Sequence, residues 1–120
     1  DENIMIISAL KALKILDLSG HKIDNLDFTR KHALNKLNIA RTYISQLQPL
    51  LKSRMRNTLL ELNIVGCPIV DYKNLLSFKQ LKKLTVSADS PLNGDAKFIK
   101  ALKQKGVQVI IAGNSSRKAK

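Results

Sequence analysis

The stretch LLELNIVGCPIVDY, residues 59–72, constrains the fold of this 120-residue chain more than any other. Its apolar positions follow the spacing L-x-x-L-x-L-x-x-C-x-L. On a β-strand, Leu62 and Ile64 would point to one side and Asn63 to the other, because successive side chains alternate. Cys67 falls where the chain leaves the strand, and we expect Ile69 to return to the apolar interior. A unit of this size cannot bury its apolar side alone, so the pattern predicts that it stacks on copies of itself.

Copies of the pattern occur on both sides of this stretch. They are LKILDLSGHKI from Leu13, LNKLNIARTYI from Leu34, LKKLTVSAD from Leu81 and a degenerate strand at residues 107–111. Equivalent strand residues follow one another in steps of 21, 25, 22 and 25 residues, within the range of about 20–29 known for one class of repeat. These residues are Leu16, Leu37, Leu62, Leu84 and Val109.

The segments that follow the strands show a second period. Apolar residues recur at every third position from Ile69 to Leu84, and again at Ile44, Leu47 and Leu50. Side chains at i and i+3 eclipse in a 3₁₀-helix, so this period favours 3₁₀ turns over an α-helix. The insertion at residues 51–58 lengthens the second repeat, and we expect it to add a helical turn.

Residues 92–112 are predicted to form an α-helix and a last strand. Asn93 or Asp95 can cap the start of the helix, and Phe98, Ile99 and Leu102 would form its apolar face. Gly106 suits the left-handed position after the helix.

The repeated pattern resembles the leucine-rich repeat family, and ISQLQPL at residues 44–50 is similar to its short-coil, internalin-like bacterial subclass. The resemblance covers about residues 4–111, although Leu26-Asp27-Phe28 departs from the subclass pattern and lacks the proline found at Pro49. It implies an α/β solenoid with about five parallel strands on the concave face, 3₁₀ or irregular convex segments and a C-terminal helix–strand cap. It also implies a non-catalytic protein-interaction module within a larger protein, in an extracytoplasmic or cell-surface location.

The length fits one domain, which we place at residues 1–113. Residues 1–12 would be a partial repeat or an N-terminal cap, residues 92–112 a C-terminal cap and residues 114–120 a disordered tail. A partial repeat would leave apolar side chains uncovered and would favour self-association. No stretch approaches the roughly 18 apolar residues of a membrane span.

The position after each strand holds His21, Thr42, Cys67 and Asp89. Cys, His and Asp together suggest a nucleophilic triad or a metal site. Stacked strands lie about 4.8 Å apart, however, which would separate His21 from Cys67 by roughly 10 Å. We therefore expect residues that support turns, with Cys67 as a buried and unreactive thiol. The sequence predicts no catalytic residue, no metal, no cofactor and no enzyme activity.

Strand residues that lie between the inward-facing ones should form the concave face, and Ala40, Val65 and Ser87 belong to this pattern too. This face holds no arginine and no aromatic residue, the types that usually anchor interfaces, so a solvated face is an open alternative. The candidate protein-binding residues on it are Asp17, Lys36, Asn38, Glu61, Asn63, Lys83 and Thr85.

Charge suggests a second surface. The chain carries 21 basic and 9 acidic residues, a net charge of +12, and the basic residues crowd the segments that enter the strands. Stacking would align them into a basic edge that could bind an acidic protein, a nucleic acid or another polyanion. A solvated charged face and a purely structural spacer are the alternatives. The predicted edge consists of Arg30, Lys31, Lys52, Arg54, Arg56, Lys79 and Lys82.

Overall fold

Five short strands form one all-parallel sheet in which spatial order follows chain order. The computed structural model describes residues 12–112, apart from the side chain of Phe28. The predictions for residues 1–11 and 114–120, including self-association, lie outside the described residues. The strands are β1 (Ile15–Asp17), β2 (Lys36–Asn38), β3 (Glu61–Asn63), β4 (Lys83–Ser87) and β5 (Gln108–Ala112).

The register of the sheet follows the repeat. Leu16 pairs with Leu37, Leu37 with Leu62, Leu62 with Leu84, and Leu84 with Val109. The equivalences predicted from the apolar spacing are therefore confirmed. The sheet and its connections form an α/β structure of 39 × 36 × 19 Å.

The core lies between the sheet and the connecting segments. The first four strands and the residues directly after them contribute eight buried apolar side chains, and the connections add residues such as Leu47, Leu75 and Phe78. Alternation explains this burial, because every second residue of an extended segment points to the same side. The eight residues are Leu16, Leu18, Leu37, Ile39, Leu62, Ile64, Leu84 and Val86.

The connections differ from one another. Three of them contain 3₁₀-helices, η1 (Asp27–Thr29), η2 (Tyr72–Ser77) and η3 (Pro91–Gly94). The 3₁₀ conformation predicted from the three-residue period after Ile69 is confirmed at residues 72–77, which form η2. The insertion contains the predicted helical turn, α2 (Met55–Thr58).

The 3₁₀ prediction for residues 44–50 is wrong, because residues 44–47 form no helix and Gln48–Leu51 form a short α-helix, α1. Pro49 stands in the first turn, where its missing N–H would have no intrahelical partner in any case. Asp71 from the next connection accepts the backbone N–H groups of Leu47 and Gln48. This outside acceptor satisfies donors that a short helix leaves open.

The last connection holds the longest helix, α3 (Ala96–Gln104). Asp95 caps it as predicted, since its carboxylate accepts the N–H of Phe98 at 3.1 Å. Phe98 and Leu102 are buried, and Gly106 has a φ of +88°. Among residues 12–112, no helix has the length and apolar character needed to cross a membrane.

Candidate functional site

The seven predicted protein-binding residues lie together on the side of the sheet opposite the core, which we call the open sheet face. They line a shallow groove of about 270 Å³ that runs across β1 to β4. Ile15, which is 63% exposed, also lines the groove and adds an apolar side chain at its β1 end. The predicted set is Asp17, Lys36, Asn38, Glu61, Asn63, Lys83 and Thr85.

The groove is balanced in charge although the chain is strongly basic. Asp17 and Glu61 contribute two negative charges, and Lys36 and Lys83 contribute two positive charges. The Nζ of Lys36 lies 3.5 Å from a carboxylate oxygen of Glu61, and both side chains are substantially exposed. Water screens an exposed pair of this kind, so it stabilises the fold little and both groups can exchange partners.

Asp17, Asn38 and Asn63 share a role that the sequence prediction missed. The side-chain oxygen of each accepts the backbone N–H two residues later, at 2.9 Å from Ser19, 2.9 Å from Ala40 and 3.0 Å from Val65. This is the Asx-turn, which bends the chain as it leaves a strand. Hydrogen bonds from the Ser19 side chain and backbone also lower the pKa of Asp17. The recurrence of Asp or Asn at this repeat position is the signal that could have revealed the turn.

Ala40, Val65 and Ser87, which the alternation also places on this face, are buried and add no exposed surface to the groove. Adjacent turns pack on this part of the chain, as shown by the N–H of Arg41 donating to the carbonyl of Val65. Stacked turns therefore cover the C-terminal end of the strands. The groove is confined to two outward-facing residues of each strand, such as Lys36 and Asn38 on β2.

At the turn position after the strands, Thr42 and Cys67 share one backbone acceptor. The hydroxyl of Thr42 and the thiol of Cys67 both donate to the carbonyl of Ile39, each at 2.9 Å, and lie 3.5 Å from each other. Nδ1 of His21 lies 3.2 Å from the carbonyl of Leu18, while Asp89 is exposed. Thr42 is buried as expected, but Cys67 is only half-buried, which corrects the predicted burial of its thiol. No cluster suited to a metal ion occurs among residues 12–112.

All seven residues of the predicted basic edge are exposed. Arg30 and Lys52 line one depression, together with Asp27 and Gln48. The N–H of Lys79 donates to the carbonyl of Arg56, which makes these two residues neighbours in successive connections. Lys31, Arg54 and Lys82 are exposed as well. Within the predicted set, Arg30 and Lys52 thus share a depression, and Arg56 and Lys79 are backbone neighbours.

Polar contacts between successive connections were also missed. Asp71 accepts hydrogen bonds from the backbone of Leu47 and Gln48, and from the side chain of Asn74. The hydroxyl of Tyr72 donates to Asp95 at 2.9 Å, which raises the pKa of Tyr72 and lowers that of Asp95. These contacts join each connection to the next one.

Comparison with known proteins adds no assignment, since no family model and no curated protein matches the chain.

Proposed function

We propose that the chain is a leucine-rich repeat solenoid whose open sheet face is the concave binding surface of a non-catalytic protein-interaction module, part of a larger protein. The observation that carries this proposal is the groove, which is lined by corresponding residues of four successive strands. The regular spacing of the apolar sequence pattern and the in-register parallel pairing support the repeat assignment.

The chemistry of the groove favours a protein partner. Its polar groups are spread at the strand spacing of about 4.8 Å and do not converge on one point, as they would around a small molecule. The side-chain oxygens of Asn38 and Asn63 each accept a hydrogen bond in an Asx-turn. Neither side-chain amide nitrogen has a partner within residues 12–112. These donors, the two flanking lysines and Ile15 provide alternating polar and apolar contacts for an extended protein surface.

The test uses peptides selected against the native protein from a random display library. The variant Lys83→Glu/Thr85→Arg changes the groove without touching a side chain that supports a turn. The control, Lys22→Glu/Val70→Arg, makes the same charge changes at exposed positions outside it. We expect the selected peptides to lose about tenfold or more in affinity for the groove variant and to bind the control normally.

Hydrogen exchange with a bound peptide completes this test by mapping the contact. Protection should concentrate on β2, β3 and β4. Peptides that bind both variants equally well, or that protect only the connections, would contradict the assignment of the groove.

We propose the basic edge as a second candidate, a site for nucleic acid or another polyanion. Two observations favour it: Arg30 and Lys52 line the same depression, and none of the seven cations forms an ion pair with a described residue. Unscreened cations in proximity repel, and an anionic partner would relieve this repulsion.

Replacing Lys52, Arg54 and Arg56 with Ser should weaken binding to heparin or duplex DNA and flatten the salt dependence of the affinity. The reason is that fewer counterions are released when fewer cations contact the polyanion. A control triple of Lys14→Ser, Lys22→Ser and Lys73→Ser removes the same charge from other exposed positions. If both triples weaken binding equally, net charge and not the edge attracts the polyanion.

A further inference from the structure

A third surface lies on α3 and shares no lining residue with the groove or the basic edge. It is a depression of about 550 Å³ next to η3, at the β5 end of the sheet. Its lining combines apolar side chains with two lysines and two amides. The lining residues are Asn93, Ala96, Ile99, Lys100, Lys103 and Gln104.

The residues of this depression are not those that hold the helix in place. Phe98 and Leu102 bury the opposite side of α3 in the core, and Phe98 packs edge-on against Tyr72 with ring centroids 5.0 Å apart. Lys105 anchors the end of the helix by donating to the carbonyls of Leu76 and Phe78. Ile99 packs partly on the core and leaves the rest of its surface as an apolar floor for the depression.

The electrostatics around α3 are one-sided. Residues 96–112 contain four lysines and no acidic residue. Lys105 is held by backbone carbonyls, whereas Lys97, Lys100 and Lys103 are exposed and form no ion pair within residues 12–112. The nearest acid along the chain, Asp95, is bonded to Tyr72 and to the N–H of Phe98, and its negative charge attracts Lys97. No acidic residue lines the depression itself, so Lys100 and Lys103 present positive charge beside its apolar floor.

We propose that this depression, the α3 groove, binds an acidic peptide segment of another protein that inserts an apolar side chain against Ile99 while its carboxylates pair with Lys100 and Lys103. The site requires neither the open sheet face nor the basic edge, so it goes beyond the functions proposed above. Charge complementarity gives the orientation and rate of such an encounter, and the apolar contact stabilises it.

The same observations argue against other occupants. A second copy of the chain would bring a net charge of +12 against this cationic surface, and residues 113–120 add three cations and no acid. A nucleic acid would find no aromatic side chain in the groove on which to stack a base. A lipid bilayer would need the apolar face of α3, which is buried in the core.

The experiment measures binding of a fluorescent peptide of alternating glutamate and leucine by anisotropy. We expect the unaltered protein to bind it and Lys100→Glu/Lys103→Glu to bind at least about tenfold more weakly. The matched control, Lys14→Glu/Lys22→Glu, makes the same charge change beside β1 at the other end of the sheet and should alter affinity less than about twofold. If the double charge reversal unfolds the protein, Lys100→Gln/Lys103→Gln serves in its place.

Two further probes separate the components of the site. A glutamine–leucine peptide should bind poorly because it lacks charge, and Ile99→Ser should weaken the glutamate–leucine peptide more than polyglutamate. Equal loss in the two charge variants, no binding by the unaltered protein, or equal binding of the glutamine–leucine peptide would overturn the proposal. So would a stronger response to phosphatidylserine vesicles than to the peptide, lost in the same Lys100/Lys103 variant, because it would identify a membrane as the partner.

Discussion

The sheet and the connections follow different rules in this molecule. Along the sheet, equivalent residues pair in register from β1 to β5, and the same apolar positions are buried in each of the first four strands. The connections hold 3₁₀-helices of three, six and four residues, two short α-helices and the nine-residue α3. Contacts particular to each pair of neighbours join them, such as Asp71 to Leu47 and Tyr72 to Asp95.

This difference shows how a repeating chain tolerates unequal units. Strand pairing fixes a constant distance of about 4.8 Å between neighbours, so every strand meets the same requirement. The connections must only return the chain to that spacing, and they differ in length and helix type. Local hydrogen bonds then hold each one in place. Stability should therefore depend most on the shared apolar positions and less on the individual polar contacts.

The largest predicted effect is at the centre of the sheet. Leu62 is 1% exposed on β3, between Leu37 and Leu84. Leu62→Ala should lower the free energy of unfolding by about 2–5 kcal/mol, because it removes packing on both neighbours and leaves a cavity. Denaturant unfolding measures this loss. Val70→Ala, at a side chain 70% exposed, is the control and should change stability by less than about 0.5 kcal/mol. If both variants lost similar amounts of unfolding free energy, the shared apolar positions of the sheet would not contribute more to stability than the connections.

A smaller effect is expected at Asp71, which acts in place of an N-cap for the helix of the preceding connection. Asp71→Ala should lower the free energy of unfolding by roughly 0.5–2 kcal/mol, since it removes the acceptor for the N–H groups of Leu47 and Gln48. Asp71→Asn retains an acceptor and should lose less. Asp24→Ala, at an exposed acid that accepts a hydrogen bond from the adjacent Asn25, controls for charge. A loss at Asp71 as large as that at Leu62 would mean that connections and sheet contribute equally.

The smallest effect should depend on pH. The bond from Tyr72 to Asp95 lowers the pKa of the carboxyl below its ordinary 3.8 and raises that of the phenol above its ordinary 10.0. Its stabilisation is therefore complete between these values. It is lost as pH falls through the lowered pKa of Asp95, and as pH rises through the raised pKa of Tyr72. The urea midpoints of the native protein and Tyr72→Phe should differ most near neutral pH and converge at both extremes. A difference that does not vary with pH would exclude the hydrogen bond as its source.

Much of the fold could be predicted because it depends on patterns that the sequence states directly. The alternation around Leu62 gave the strand, and the recurrence of Leu16, Leu37 and Leu84 gave the register. The helix type of residues 48–51 could not be predicted in this way, because an acceptor 23 residues away in sequence helps to set it. Such an acceptor becomes visible only when neighbouring connections are placed side by side.

The candidate site shows the same limit. Alternation alone was enough to select the groove residues, because it fixes the side of the sheet on which each residue lies. It does not show whether a polar atom already has a hydrogen-bond partner within the chain. Asn38 and Asn63 looked equally available for a partner, yet one atom of each supports its own turn. The α3 groove could not be selected, because it depends on how η3 and α3 pack and on Lys105 being anchored while Lys100 is not.

The order of the sheet also bears on how such a chain can change in length. Each strand pairs only with the strands before and after it in sequence, so paired residues such as Leu37 and Leu62 are never far apart along the chain. Adding a unit lengthens the chain without adding pairings of greater sequence separation, and loop-closure entropy per unit stays nearly constant. Duplication or deletion of one unit therefore creates only one new junction. Growth of this protein by whole units is limited by the fit at that junction and not by the topology of the rest.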